Sequence, residues 1–343
     1  MRNINAKIQR STEQHSFRFG RLSAIYSYFI PKPTLTEKNL PDQSRKVFIV
    51  TGGYAGCGYE LVKDLYQHNG SIYIAGRNPE KAEAAISKLR SEFPTSTGLL
   101  SFLKVDFSDF STIKTAAEEF LSKETRLDVL TNNAGVMIPP LGSKDEHGHE
   151  LQIGTNVLGP YLFTKLLIPI MQSTVAKVPA ESVRITWGSS GVATTSPENG
   201  MIFGADGNIE QGANSQVDYT VSKAANIYLA SQFARLYSKD GIVSVSWNPG
   251  NLETELQRHA NWLQKFILGF VTHPARFGGY TELWAGWSPD ITASHNGAYI
   301  APWGRIYPAR EDIQAGTKSK EEGGTGYAEK LLAYCEKETA AFA

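Results

Sequence analysis

The chain has 343 residues, and its 34 lysines and arginines balance 34 aspartates and glutamates. That length supports a large core plus an extension or lobe, and the even charge gives no reason to expect a nucleic-acid partner. No run of eighteen apolar residues occurs, which argues against a spanning helix. The two cysteines, Cys57 and Cys335, are too far apart in sequence for a disulfide framework, so a cytoplasmic, reducing compartment is expected.

Residues 1–45 read as a basic extension and linker. Arg2, Lys7, Arg10, Arg18 and Arg21 accompany a single acid, Glu13, over the first turns of this stretch, with no apolar core of the secretory type. Three readings stay open: a loosely ordered arm docked on the domain, a mitochondrial transit peptide, or a membrane-surface segment. Leu22 to Phe29 is the candidate docking part, and Pro31-Lys32-Pro33 reads as an extended linker.

The folded domain is expected over residues 46–310. Lys46 to Val50 is a short apolar, β-branched run of the kind found in buried parallel strands. It leads directly into Thr51-Gly52-Gly53-Tyr54-Ala55-Gly56-Cys57-Gly58 and then a helical pattern through Leu61 and Leu65. Strand, glycine-rich turn and helix start make a phosphate site, because backbone N–H groups and the helix dipole both favour an anion there. The alternative is a plain tight turn, and Cys57 within it suits packing better than nucleophilic attack.

A second strand, Ser71 to Ala75, ends at Gly76-Arg77-Asn78. An acid at that point accepts from an adenosine ribose hydroxyl, whereas an arginine pairs with a 2′-phosphate, so Arg77 favours NADP(H) over NAD(H). A helix over Pro79 to Phe93, a strand over Ser101 to Val105 and a helix over Asp109 to Leu121 continue the alternation. Asp106 either meets the adenine amino group or caps the next helix. Asn132-Asn133-Ala134-Gly135 closes a fourth strand, at the carboxyl end where ligands lie in open parallel sheets.

Glu146-His147-Gly148-His149-Glu150 invites a metal reading, but no further ligands complete a set, and no metal is expected. The helix from Leu151 carries Asn156 amid apolar residues, where its amide needs partners; a local break that holds a water is expected. Val183 to Trp187 forms a fifth strand ending in Gly188-Ser189-Ser190-Gly191. After a long loop, Tyr219 and Lys223 fall one turn apart on a helix. A nearby ammonium favours the phenolate, and such a pair can move a proton to or from a carbonyl or alcohol oxygen. Ile242 to Trp247 is a sixth strand, followed by the rigid turn Asn248-Pro249-Gly250-Asn251-Leu252-Glu253-Thr254. Gly297 to Ala301 is a seventh.

These motifs in this order resemble the short-chain dehydrogenase/reductase family, and within it the retinol-dehydrogenase-like and filamentous-fungal members. The resemblance runs from about Lys46 to Trp303 and rests on Thr51-Gly52-xxx-Gly56-x-Gly58, Asn132-Asn133-Ala134-Gly135, Tyr219-xxx-Lys223 and Pro249-Gly250. It implies an α/β fold: a Rossmann-type, doubly wound parallel sheet of about seven strands with a small C-terminal substrate lobe. It also implies a catalytic tetrad of Asn156, Ser190, Tyr219 and Lys223, Ser190 being preferred over Ser189 on family spacing. Cofactor contacts are expected from Thr51, Gly52, Tyr54, Gly56, Cys57, Gly58, Arg77, Asp106, Asn133, Ala134, Gly135, Tyr219, Lys223, Pro249, Gly250, Leu252 and Thr254.

In the mechanism this implies, Ser190 polarises the substrate oxygen and Tyr219 passes the proton. Lys223 lowers the tyrosine pKa, and Asn156 holds a water that links Lys223 to solvent. The long Ser190–Tyr219 spacing implies an inserted loop beside the substrate. A lobe is expected over residues 251–295, and residues 311–343 read as a peripheral tail. In the lobe, Trp262, Phe266 and Phe270 lie on one stripe and Leu263, Ile267 and Val271 on the next; such stripes pack in the core, against a second subunit, on a membrane surface, or around an apolar substrate. Two functions of different class are carried forward: an NADP(H)-dependent oxidoreductase acting on a small apolar ketone or alcohol, and a non-catalytic NADP(H)-binding sensor or scaffold of the same fold.

Overall fold

Every side chain of Val47–Thr51 is buried, and this apolar run forms strand β1 at the centre of the sheet. Alternate residues point to opposite faces: Ile49 joins one core cluster and Phe48 and Val50 the other. A strand covered on both sides has no need of polar alternation, which is why the segment reads as a continuous hydrophobic run. The computed structural model describes residues 30–252 and 272–343, and residues 33–252 and 273–343 of these belong to one unit. Thr254 and the apolar stripe of Trp262, Leu263, Phe266, Ile267, Phe270 and Val271 lie outside the described residues.

The elements follow as α1 (Gly56–Gln67), β2 (Ser71–Gly76), α2 (Pro79–Glu92), β3 (Leu99–Lys104), α3 (Ser111–Lys123) and β4 (Val129–Asn132). A long helix, α4 (Leu151–Val175), leads to β5 (Arg184–Gly188). Then come α5 (Ser215–Tyr237), β6 (Val243–Trp247), α6 (Ala275–Trp287), β7 (Tyr299–Ala301), β8 (Arg305–Ile306), α7 (Glu311–Thr317) and α8 (Tyr327–Thr339). The sheet order is β3-β2-β1-β4-β5-β6-β7-β8. All pairs are parallel except β7–β8. The order reverses between β1 and β4, and in such sheets the crevice at that reversal receives the ligand.

The expected doubly wound α/β sheet is present, with β8 as an eighth, antiparallel edge strand. One face carries α3, α4, α5 and α8, represented in its core by Phe120, Leu162, Ile227 and Leu331. The other carries α1, α2 and α6 through Leu61, Ile86 and Leu283. Helix α4 is apolar enough to resemble a membrane span, yet most of it is buried within the protein; it is a core helix.

Two peripheral readings change. Residues 311–343 are not a loose tail, because Leu331 and Cys335 of α8 are fully buried against the body. Within the described part of the arm, residues 33–45 are seated by Leu35 and Leu40, both buried. The carbonyl of Glu37 meets His68 Nε2 at 2.7 Å, and its carboxylate accepts from Tyr280 Oη at 2.7 Å and pairs with Arg276 at 2.6 Å. The described part of the expected lobe is also more integrated than the sequence suggests: α6 lies on the sheet as one of its covering helices, with Leu283 and Trp284 in the core.

Candidate active site

The turn from β1 to α1 is shaped by glycines in the left-handed region, Gly52 at φ +67° and Gly56 at φ +57°. Helix α1 begins at Gly56 with Ala55 as a cap that offers no side-chain hydrogen bond and with no acid in its first turn. Its N-terminal N–H groups and positive dipole end are therefore free of a competing carboxylate, the arrangement that accepts a phosphate. Gly58 brings α1 close to the turn after β4, since a Cβ there would fall 2.5 Å from Asn133 Nδ2. That amide donates to Thr51 O at 2.8 Å. Thr51 Oγ1 in turn accepts from Asn133 N and Ala134 N, each at 2.9 Å, so the ends of β1 and β4 are laced across the sheet reversal.

The outer end of this crevice is set by Tyr54, whose ring fills the space a side chain on Gly76 would need. Arg77 follows, exposed at the end of β2. Asp106 Oδ1 accepts from Ser108 N at 2.9 Å and Ser108 Oγ at 2.7 Å, so it fixes the turn after β3 rather than capping α3. Cys57 lines the inner cavity, and burial holds its thiol protonated. That agrees with a packing role.

Across the crevice, α5 presents Tyr219 and Lys223. It starts cleanly because Asn214 Oδ1 accepts from Gln216 N and Val217 N, each at 3.0 Å. Lys223 Nζ donates to Gly188 O at 2.9 Å and lies 5.5 Å from the Tyr219 ring centroid. Asn226, one turn on, donates to the same carbonyl at 2.9 Å. Burial pushes the Lys223 ammonium down to about 8 and the Tyr219 phenol up to about 12. The expected lowering of the tyrosine by the lysine is thus not present in this arrangement: the ammonium is turned toward Gly188, and burial dominates the phenol.

Asn156 sits in a π turn, Gly154–Leu158, inside α4. The wider turn breaks the regular ladder, as its position amid apolar residues leads one to expect. Asn156 Oδ1 accepts from Val136 N at 2.8 Å, and Nδ2 donates to Val136 O at 2.9 Å and Ser222 Oγ at 3.1 Å. It thereby ties the loop after β4 to α5, and Gly135 has no room for a side chain beside it. Of the two serines, Ser189 is buried with Oγ donating to Lys223 O at 2.7 Å. Ser190 is half-exposed, its Oγ accepting a longer bond from Val192 N at 3.3 Å.

A cavity of about 170 Å³ joins these parts, lined among others by Asn133, Gly135, Ser189, Tyr219, Lys223 and Pro249. Gly250 follows at φ +88°, its N–H donating to Asn248 Oδ1 at 3.0 Å. Leu252 makes an isolated bridge to His273. Sequence reasoning did not single out Asn226 or the cavity-lining Met137 and Trp247. Asn226 was findable as the polar residue one turn beyond Lys223 on a buried helix; Met137 and Trp247 carry no local signal.

The two histidines of the 146–150 loop are structural. His147 Nε2 accepts from Phe110 N at 2.8 Å, and His149 bridges Asp145 Oδ2 (2.9 Å) and Glu338 Oε2 (3.1 Å). Among the described residues no group of three potential ligands gathers for a metal ion.

A strand-turn-helix anion cradle at a sheet reversal, facing a Tyr-xxx-Lys pair of half-buried tyrosine and buried lysine, defines a nucleotide-dependent oxidoreductase of the Rossmann type. Comparison with known proteins supports this. The family model described as short chain dehydrogenase matches residues 46–264. A short-chain dehydrogenase/reductase from Phomopsis amygdali is 41% identical over 326 residues, covering 93% of this chain and 97% of that protein. Among solved structures, the Pseudomonas aeruginosa RhlG/NADP active-site complex aligns with TM-score 0.60 at 21% identity, covering 77% of this chain and 96% of that one. An NADPH-bound carbonyl reductase from chicken fatty liver aligns with TM-score 0.56 at 20% identity, covering 78% and 100%. The chain belongs to the short-chain dehydrogenase/reductase family.

Proposed function

We propose that this oxidoreductase uses NADP(H) to interconvert a carbonyl and an alcohol on a small, apolar substrate, with Tyr219 as the proton donor or acceptor. The observation that carries the reading is the placement of Tyr219 and Lys223 on one wall of the cavity whose other walls are Asn133, Gly135 and Pro249. The residues fit the cofactor. Gly52, Gly56, Gly58 and the uncapped start of α1 would hold the pyrophosphate, Arg77 the 2′-phosphate, and the Pro249–Leu252 turn the nicotinamide end. Bound NADP(H) supplies or accepts the hydride. The structural relatives solved with NADP or NADPH support the choice of cofactor.

The chain's own residues would handle the proton and the oxygen. Ser190 Oγ, not committed to a buried partner as Ser189 is, donates to the substrate oxygen. Tyr219 Oη then transfers its proton as negative charge develops there. A phenol pushed up to about 12 stays protonated at neutral pH, so it is ready to donate as negative charge develops on a carbonyl oxygen, and the same phenol receives the proton back when an alcohol is oxidised. Lys223 supplies positive charge beside the phenolate that remains, and Asn156, fixed by Val136 and Ser222, would hold a water that links this lysine to solvent. Exposed Met137, Ile138, Leu141 and Val192 supply apolar surface suited to an apolar substrate.

Intrinsic-fluorescence titration with NADPH and NADH, on the wild type and on Arg77→Asp, tests the reading. Tight NADPH binding that weakens selectively in the variant supports it and justifies a screen of apolar ketones and alcohols. Equal affinity for both cofactors removes the Arg77 argument, and binding of neither removes the oxidoreductase reading. NADPH binding without turnover of any ketone or alcohol leaves the sensor or scaffold reading in its place.

A further inference from the structure

Glu282, in the middle of α6, is fully buried, and neither carboxyl oxygen has a partner. Gly278 and Gly286 lie one turn before and one turn after it on the same helix face. Gly278 packs on Cys57 Sγ and Leu252, and Gly286 packs on Val129 of β4 and the methyl of Thr186 of β5. Glu282 is therefore aimed between α1 and the sheet, over β4 and β5. Beneath it, Thr131 and Thr186 are directly paired across β4 and β5. Both point to this face, because Val129, two residues before Thr131, belongs to its core and Gly286 touches Thr186. Both hydroxyls are fully buried, and neither has a partner.

Among the described residues no cation compensates the carboxyl. Arg184 on this face donates to Ser288 O at 2.9 Å and Ile291 O at 3.2 Å and reaches Ala285 O at 3.5 Å. From α1 come Cys57, Glu60 and Asp64, which offer no positive charge, and Arg276 of α6 is paired with Glu37. An isolated buried carboxylate is costly, and buried polar groups left without protein partners are satisfied by internal water.

We propose that Glu282, Thr131 and Thr186 form a sealed polar chamber that binds internal water, with Glu282 held as a neutral carboxylic acid. The acid donates its proton into the water, and the threonine hydroxyls complete the network from below. Burial alone holds the carboxyl well above its usual range, in keeping with this state. Thr131 stands two residues before Asn133 on the strand that leads into the Asn133–Gly135 turn, and Gly278, one turn from Glu282, backs onto Cys57, a wall of the cavity. It is a site separate from the reacting groups, and its existence does not depend on the proposed substrate or cofactor.

Infrared spectroscopy of the full chain at neutral pH tests it, after thermal melts confirm that each variant folds. The wild type is expected to show a protonated carboxylic-acid carbonyl band that shifts in D2O and disappears in Glu282→Gln. Thr186→Val and Thr131→Val, which keep Glu282, are expected to move that band by removing hydrogen-bond partners of its water. A wild-type spectrum without the band, or a band unchanged in Glu282→Gln, overturns the neutral acid. A band that neither threonine substitution moves overturns the shared chamber. The threonine variants keep the test open if Glu282→Gln fails to fold.

Discussion

The carboxylate of Asp145 occupies the space that a side chain on Gly154 would need. Asp145 is also the hub of its loop, with Oδ1 accepting from His147 N (2.9 Å) and His149 N (2.8 Å) and Oδ2 facing His149 Nδ1 (2.9 Å). Gly154 opens the π turn that carries Asn156. Gly154→Ala should therefore push the turn off its support, at a cost of about 1–3 kcal/mol typical of overpacking. Turnover should fall by up to about 100-fold, as for misplaced catalytic groups generally, while NADPH affinity changes little. Denaturant melts and steady-state kinetics would check both arms.

The Asp145–His149–Glu338 cluster should make stability depend on pH. Hydrogen bonding to Asp145, and then to Glu338, raises the His149 pKa above 6.5 despite burial. Its contribution is fully present below the unfolded value and is lost as pH rises through the raised folded value. Desolvation works to raise the pKa values of Asp145 and Glu338, but their hydrogen bonds, to His149 and Lys337 among others, leave both net lowered. Their contributions are present above the ordinary carboxylate values of 3.8 and 4.5 and fade as pH falls through the folded values. The advantage of wild type over His149→Gln should thus peak between the carboxylate and imidazole ranges and vanish in alkali. Thermal midpoints of the two proteins from pH 4 to 9 would show it, with a difference of about 1–3 kcal/mol at the peak.

Tyr219→Phe should keep NADPH binding and lose turnover by roughly 10²- to 10⁴-fold, the usual span for a positioned acid or base. Lys223, pushed down to about 8, loses its charge as pH rises through that value, so activity that needs the ammonium should decline on the alkaline side. Lys223→Arg keeps a charge at that point and should remove the alkaline decline even if its maximal rate is lower. A pH–rate profile separates the two.

Gly56 and Gly58 predict different failures two residues apart. Nothing lies within 4 Å of a Cβ on Gly56, but its φ is +57°; Gly56→Ala should cost about 1–2 kcal/mol of backbone strain without blocking the site. Gly58 carries no positive φ, yet its Cβ would strike Asn133 Nδ2. Gly58→Ala should displace Asn133 from Thr51 O and weaken NADPH binding more than stability. Parallel titrations and melts would distinguish strain from collision.

Much of this was legible because buried parallel strands and glycine turns leave strong local patterns. Val47–Thr51 and Thr51–Gly58 could be read from apolar runs and glycine spacing, Tyr219-xxx-Lys223 gained its weight only from the other motifs in order around it, and Asn156 announced its irregular turn by being an amide on an apolar stripe. β8 could not be read, since two residues show no periodicity. The tail was misjudged because the charges of α8 hide the burial of Leu331 and Cys335, one helical turn apart. The proton affinities of Tyr219 and Lys223 were equally out of reach: they depend on how deeply the tertiary fold encloses both groups and on a carbonyl from β5, neither of which has a local signature.

The seat of residues 33–45 has a consequence for the order of assembly. Glu37 accepts from Tyr280, a partner 243 residues later in the chain. A growing polypeptide can set the arm against His68 early, yet Arg276 and Tyr280, which hold the Glu37 carboxylate, emerge only when most of the sheet has been synthesised. The locking of its carboxylate is therefore among the late events of folding, after a long-range closure that carries an entropic cost. Until then the Glu37 carboxylate waits without the cation and phenol that hold it in the finished fold.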